Sequence, residues 1–179
     1  MQNLMGKGNK ITSWHPDRPV SRGATAYHDA VVNAPYYIEN LDEMVELIKT
    51  KIKDKEIVVD FGAGTGVSAL RLLKKLNSNF RFLLVDNSAA WLGKAYEVLS
   101  SNPNVEFYLL QKNDDRYATL AETIGLQAAH HVICANTIHL IPNVKKTLEG
   151  INLAMKPKGT FTFQSGNIAR PGRRKGVIM

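Results

Sequence analysis

Cysteine is nearly absent from this sequence: Cys134 is the one residue of its type among 179. A lone thiol closes no internal disulfide and supplies no pair of ligands for a metal cluster. It sits in an apolar run, so the expectation is a buried thiol in a reducing compartment, and the predicted location is cytoplasmic. Also missing is any apolar run near the roughly 20 residues that a membrane helix needs. The opening "MQNLMGKGNK" lacks the apolar centre of a secretory signal. There is no internal repeat and no low-complexity segment. With 44% hydrophobic and 22% charged residues, the chain reads as one soluble globular domain with a sizeable core.

Acidic residues are the scarcer charge: 16 Asp and Glu against 23 Lys and Arg, for a net charge of +7. Such an excess suggests nucleic acid, but its placement does not. Lys49, Lys51, Lys53 and Lys55 precede the first expected strand, Lys74 and Lys75 the second, and Lys156 and Lys158 the last. There they would complement helix C-termini, opposite any ligand edge of the sheet. The rest of the excess lies in "ARPGRRKGVIM", read as a basic loop or frayed end.

Helical spacing of Ile38, Leu41, Val45 and Ile48, with Pro35 in the first turn, predicts a helix over 35–52, preceded by a shorter one near 23–32. Strands are predicted at 56–61, 80–86, 104–110 and 130–135, with a fifth in "GTFTFQS". Helices are predicted at 66–76, after Ser88 as N-cap, in "DRYATLAETIG" ended by Gly125, and in "NVKKTLEGINLAM". Trp91 is expected in the core. Alternating strands and helices imply right-handed crossovers and a parallel sheet covered on both faces. Ligands of such sheets bind beyond the carboxyl ends of the strands.

At that edge the first strand runs into Gly62, Gly64 and Gly66. A plain turn needs one residue of positive φ, not three alternating ones. A dinucleotide loop of the type G-x-G-x-x-G would need a third glycine where Val67 stands. Asp60, directly before the loop, would repel a diphosphate and welcome a cation. Asp86, ending the second strand, can accept both hydroxyls of a ribose. A ribose, a positive charge and no phosphate together suggest S-adenosylmethionine.

The segments "VVDFGAGTGVSALRL", "FRFLLVDNSAAWLGKA", "NVEFYLLQKND", "HHVICANTIHLIPN" and "LAMKPKGTFTFQ" resemble, in order and spacing, the motifs of class I S-adenosylmethionine-dependent methyltransferases. The resemblance spans about residues 55–165. It implies a Rossmann-like sheet of strand order 3-2-1-4-5, counted along the chain, lacking the family's final two strands. It also implies three parts: a helical lid over 1–54, the cofactor-binding domain over 55–166 and a basic tail over 167–179.

The resemblance further implies that Asp60, Gly62, Ala63 and Gly64 face the amino-acid half of the cofactor. Asp86 would hold the ribose and Asn87 would lie beside the adenine. Where the family often has an Asp for the adenine amino group, this chain has Gln111, flanked by Lys112, or else Asn113. Asn136 would border the methyl group, and His139 would stand near the active-site mouth. No metal is expected.

A general base is needed only if the acceptor must lose a proton. His139, His28 and His15 are the candidates, each with a structural reading beside it; His130 and His131 fall at the far edge. Trp14, Tyr27, Tyr36 and Tyr37 could form a lid with a cation–π contribution, Tyr27 foremost, or simply the apolar side of a docked helix. The fourth-strand motif is "NTIH", not the Asn-Pro-Pro-aromatic type that resembles enzymes acting on amide or base nitrogens. The expected activity is therefore methyl transfer to a small-molecule acceptor. The alternatives are a truncated or non-catalytic cofactor-binding module that needs a partner, or an RNA or protein methyltransferase. The fifth strand's open edge is a liability that a homo-oligomer could cover.

Overall fold

Residues 57–61 and 81–86 are almost wholly apolar, and the chain buries them on both sides. Their strands, β2 (Ile57–Phe61) and β3 (Arg81–Asp86), lie side by side and parallel at the centre of a six-stranded sheet. The structure is a computed structural model and describes residues 9–11, 22–76, 79–113 and 115–165. The remaining strands of the sheet are β1 (Asn9–Ile11), β4 (Val105–Leu109), β7 (Ala129–Ala135) and β8 (Met155–Gln164). A separate two-stranded hairpin is formed by β5 (Lys112–Asn113) and β6 (Arg116–Tyr117).

The order across the sheet is β1-β4-β3-β2-β7-β8. The five parallel strands thus take the order read from the sequence. To it the structure adds β1, an antiparallel edge strand paired with β4, so the 1–54 segment is not wholly helical. Lys10 of β1 and Arg81 of β3 both reach Glu106 of β4, at 2.6 Å each.

Alternation along each strand sorts the core into two layers. Val58, Phe82 and Leu84 pack with Leu41, Met44 and Ile48 of α2 (Pro35–Lys49) and Leu72 of α3 (Val67–Lys75). Val59, Leu83 and Val85 pack on the other face with Leu120 of α5 (Leu120–Ile124) and Ile151 of α6 (Val144–Ala154). Cys134 is fully buried in this second layer, where burial pushes its thiol up to about 12. Two further helices, α1 (Arg22–Val31) and α4 (Ala89–Leu99), lie on the first face near the ligand edge.

One predicted element is different. The segment expected as a single helix, 115–125, is the β6 strand followed by five helical residues. Thr119 and Glu122 form a reciprocal capping box that starts α5 only at Leu120. The Arg116 guanidinium then reaches back to Glu122 with two bonds of 2.8 Å, fixing the hairpin against the helix.

The basic residues fall largely where helix ends want them. Lys49 closes α2, while Lys74 and Lys75 close α3, and Lys75 lies 3.3 Å from Asp42. Lys156 and Lys158 lie inside β8 rather than before it. His131 is structural: its ring nitrogens lie 2.9 Å from Glu56 and 2.7 Å from Thr160, at the start of β7. Among the described residues, no helix is long and apolar enough to cross a membrane.

Candidate active site

The first βα turn explains why three glycines are needed, and the reasons differ. All three hold positive φ, between +55° and +81°. A Cβ on Gly62 would lie 2.2 Å from the Thr137 methyl, because Thr137 packs its side chain there with its hydroxyl 3.0 Å from the Gly62 carbonyl. A Cβ on Gly66 would lie 2.9 Å from Leu99 and 3.2 Å from Ala95 of α4. These two glycines are bare so that protein can meet protein. Gly64 differs: its nearest neighbour would be Trp91 at an ordinary 3.5 Å, and its other side opens onto a cavity of about 1030 Å³.

That cavity lies beyond the carboxyl ends of β2, β3 and β7, as the fold class requires. Asp86 forms one side. Its Oδ2 accepts the Gly64 N–H at 2.8 Å and its Oδ1 accepts the Ser88 N–H at 2.8 Å. Burial raises its pKa, and the main-chain donors oppose the shift. Each oxygen retains lone pairs for a further donor. Ser88 caps α4 by accepting the Trp91 N–H, as its sequence position predicts.

Asp60 lies one layer back. It is fully buried, and it does not line the cavity. The Ser68 hydroxyl, which does line it, donates to Asp60 Oδ2, while Asp60 Oδ1 has no partner among the described residues. Burial pushes the carboxyl up to about 7, against the lowering effect of Ser68; the charge of Asp86 adds to the rise.

Two of the four aromatic residues offered as a lid lie at the cavity. Tyr27 and Tyr37 line the cavity, and Trp91, expected in the core, joins them. The Tyr27 and Trp91 rings are 4.6 Å apart at 51°, and the Tyr27 hydroxyl donates to that of Tyr37 at 3.4 Å. Burial raises the Tyr37 phenol well above its ordinary value. Tyr36 is 60% exposed and does not line the cavity. Trp14 and His15 lie outside the described residues, as do the 167–179 tail and the Asn113 side chain.

Of the other expected residues, Gly62, Ala63, Asn87, Lys112 and Asn136 line the cavity. Asn136 holds φ +55 and donates its N–H to the Gln164 carbonyl at 2.8 Å, which locks the turn after β7. Gln111 does not line it, although its neighbours Leu110 and Lys112 do. His139 is exposed on a 3-10 turn (Ile138–Leu140) and is not at the cavity wall. His28 is buried behind it, with Nδ1 unpartnered among the described residues and its pKa lowered by burial and by Lys94. Neither histidine lines the cavity.

Sequence reading missed the far wall. Arg116 and Tyr117 come from the hairpin, and Ile141, Pro142, Lys146 and Thr147 come from the turn into α6. The one signal available was "IHLIPN", an apolar turn ending in an N-cap directly after a strand.

A model described as a methyltransferase domain matches residues 52–173. The chain belongs to this methyltransferase family. The class I S-adenosylmethionine-dependent resemblance of its motifs therefore stands, and S-adenosylmethionine is its cofactor class. The chain is 32% identical over 63 residues to the carboxy-S-adenosyl-L-methionine synthase of Nautilia profundicola, covering 35% of this chain and 26% of that protein. It is 32% identical over 112 residues to a highly reducing polyketide synthase of Emericella nidulans, covering 58% of this chain and 4% of that protein. The chain thus spans only a small part of either relative. A methyltransferase structure from Aquifex aeolicus shares the fold, with a TM-score of 0.63 at 17% identity over 84% of this chain and 77% of that one.

The residues present fit the cofactor class. Gly64 keeps a bare, positive-φ main chain at the cavity, Asp86 has spare acceptor capacity, and the unpartnered buried oxygen of Asp60 stands behind Ser68.

Proposed function

We propose that this chain binds S-adenosylmethionine in the cavity and transfers its methyl group to a small-molecule acceptor. The observation that carries this reading is the pairing of Gly64 with Asp86 at the open side of the turn. In that reading Asp86 holds the ribose hydroxyls and Asn87 lies beside the adenine. The main chain at Ala63 and Gly64 faces the amino-acid half, and Asn136 borders the reacting end. Tyr27 and Trp91 cover the site from α1 and α4, exclude water and present ring faces to positive charge. Helices α1 and α2 act as the cap.

The bound cofactor supplies an already activated methyl group on a cationic sulfur. Rate enhancement then rests on positioning and on exclusion of water rather than on acid–base work. The small-molecule reading is supported by relatives named for a polyketide and for a modified S-adenosylmethionine.

Thermal shift with S-adenosylmethionine, S-adenosylhomocysteine and NAD tests the cofactor half. A ligand that binds the native state raises the melting temperature in proportion to the logarithm of its concentration over Kd. The two sulfur nucleosides should raise it and NAD should not; the reverse result rejects the reading. Release of S-adenosylhomocysteine in the presence of small organic acceptors, but not RNA or protein, tests the transfer half.

A further inference from the structure

The cavity, at about 1030 Å³, is at the upper end of the range for a single drug-sized ligand. Its cofactor side, around Gly64 and Asp86, leaves a second wall facing the hairpin and the start of α6. The chemistry of that wall limits what can be methylated there.

Among the described residues, Asp115 is the one carboxylate on that wall. Among the described residues, no histidine, cysteine or glutamate lines the cavity. Asp86 is the carboxylate that the methyltransferase reading gives to the ribose hydroxyls, and Asp60 is sealed behind Ser68. Tyr27 donates to Tyr37, whose phenol burial keeps protonated. Asp115 stands exposed on the hairpin turn, where water competes for its carboxylate.

What the wall does offer is positive charge. Arg116 is committed to Glu122. Lys112 and Lys146 have no ion pair among the described residues, and Asp115 is the lone carboxylate on this wall to oppose them. Both lysines are exposed, like Asp115; Lys146 differs in that its backbone is fixed, its N–H donating to the Asn143 cap at 3.1 Å.

Resting on the methyltransferase reading, we propose that the acceptor is a small organic anion whose nucleophilic atom is deprotonated before it binds, a carboxylate or a resonance-stabilised enolate, with Lys146 facing its charge. The acceptor's lone pair forms the bond to the methyl carbon, and the carbon–sulfur bond breaks with its electrons left on sulfur. No proton has to leave, so no base is required. One positive and one negative charge disappear together, a change that is favoured to the extent that bound ligands displace water from the site. Tertiary amines, pyridine-type nitrogens and thioethers also need no base. Their products would be new cations facing Lys112, Arg116 and Lys146, and like charges in a cavity repel.

The test is a ligand-observed NMR screen on protein saturated with S-adenosylhomocysteine. The library holds equal numbers of size-matched carboxylate, neutral and ammonium fragments. Carboxylates should dominate the hits, and Lys146→Gln should weaken them about tenfold or more. Affinity for S-adenosylhomocysteine, measured by calorimetry, should be unchanged in that variant. Equal hit rates among the three classes, no carboxylate bound, or full affinity retained in the variant would each overturn the proposal. If S-adenosylhomocysteine itself fails to bind the wild type, the methyltransferase reading is what has failed, and this inference falls with it. If it binds and no anion preference is seen, only this inference fails.

Discussion

Asp86 reaches back across the first βα turn and accepts the Gly64 N–H at 2.8 Å. One carboxylate thereby fixes the glycine turn and stays available at the cavity wall. The adjacent Ser88 N–H holds its second oxygen, so the side chain has no freedom to swing away.

Replacing Asp86 by Ala should therefore weaken S-adenosylmethionine by at least about tenfold, since hydrogen bonds to a charged group contribute roughly 1.5–3 kcal/mol. Calorimetric titration reads the effect directly. Unchanged affinity would mean that the ribose contact lies elsewhere.

The three glycines separate in experiment because they are bare for different reasons. Gly64→Val places a β-branched residue at φ +55, costing about 1–2 kcal/mol of backbone strain, without a severe clash. It should leave the chain folded and abolish cofactor binding. Gly62→Ala would put a methyl group 2.2 Å from Thr137, and the melting temperature of the free protein should fall further than for Gly64→Ala. Circular dichroism melts of the two alanine variants without ligand check the order.

The parallel strands could be read in advance because β-branched runs and glycine punctuation are local signals; their order comes from the resemblance of the motifs to class I methyltransferases. The hairpin at 112–117 could not be read in that way. What defines it is a pairing between Arg116 and Glu122, six positions apart, together with a cap at Thr119, and a periodicity reading sees only a helix-friendly stretch. Most of the residues expected on the cofactor side line the cavity because they follow strand ends in sequence, whereas Asp60 and Gln111 do not line it. Trp91 was misread as core because it sits on an apolar helix, and only the tertiary position of Gly64 and Tyr27 turns it to the cavity. His139, expected after the fourth parallel strand, is exposed on a 3-10 turn whose neighbours Leu140 and Ile141 line the cavity.

Asp60 gives the chain a pH dependence of defined sign. Its pKa rises from 3.8 to about 7 on folding, because the charged form is desolvated. The folded state therefore binds the proton more tightly than the unfolded chain. Relative stability is greatest below about pH 4 as far as this group is concerned, and it is lost as pH climbs through 7. At one pKa unit per 1.36 kcal/mol, the full effect is on the order of 4 kcal/mol. Asp60→Asn should remove most of this dependence. Urea melts of both proteins at pH 5 and pH 8 should show the variant gaining on the wild type at the higher value. A constant difference between them would place the titration elsewhere.

Tyr27 and Trp91 separate charge recognition from simple packing. Their rings stand 4.6 Å apart beside the Gly64 turn, and a ring face attracts a cation by about 0.5–2 kcal/mol. S-adenosylmethionine carries that charge on sulfur, whereas S-adenosylhomocysteine does not. Tyr27→Leu keeps an apolar side chain against Trp91 and removes one ring. If the ring is there for the sulfonium, the variant should lose several-fold in affinity for S-adenosylmethionine while S-adenosylhomocysteine changes little. If it only fills space, both ligands should weaken alike. Parallel titrations of the two nucleosides against wild type and variant measure the difference, and the ratio of affinities cancels any general loosening of α1.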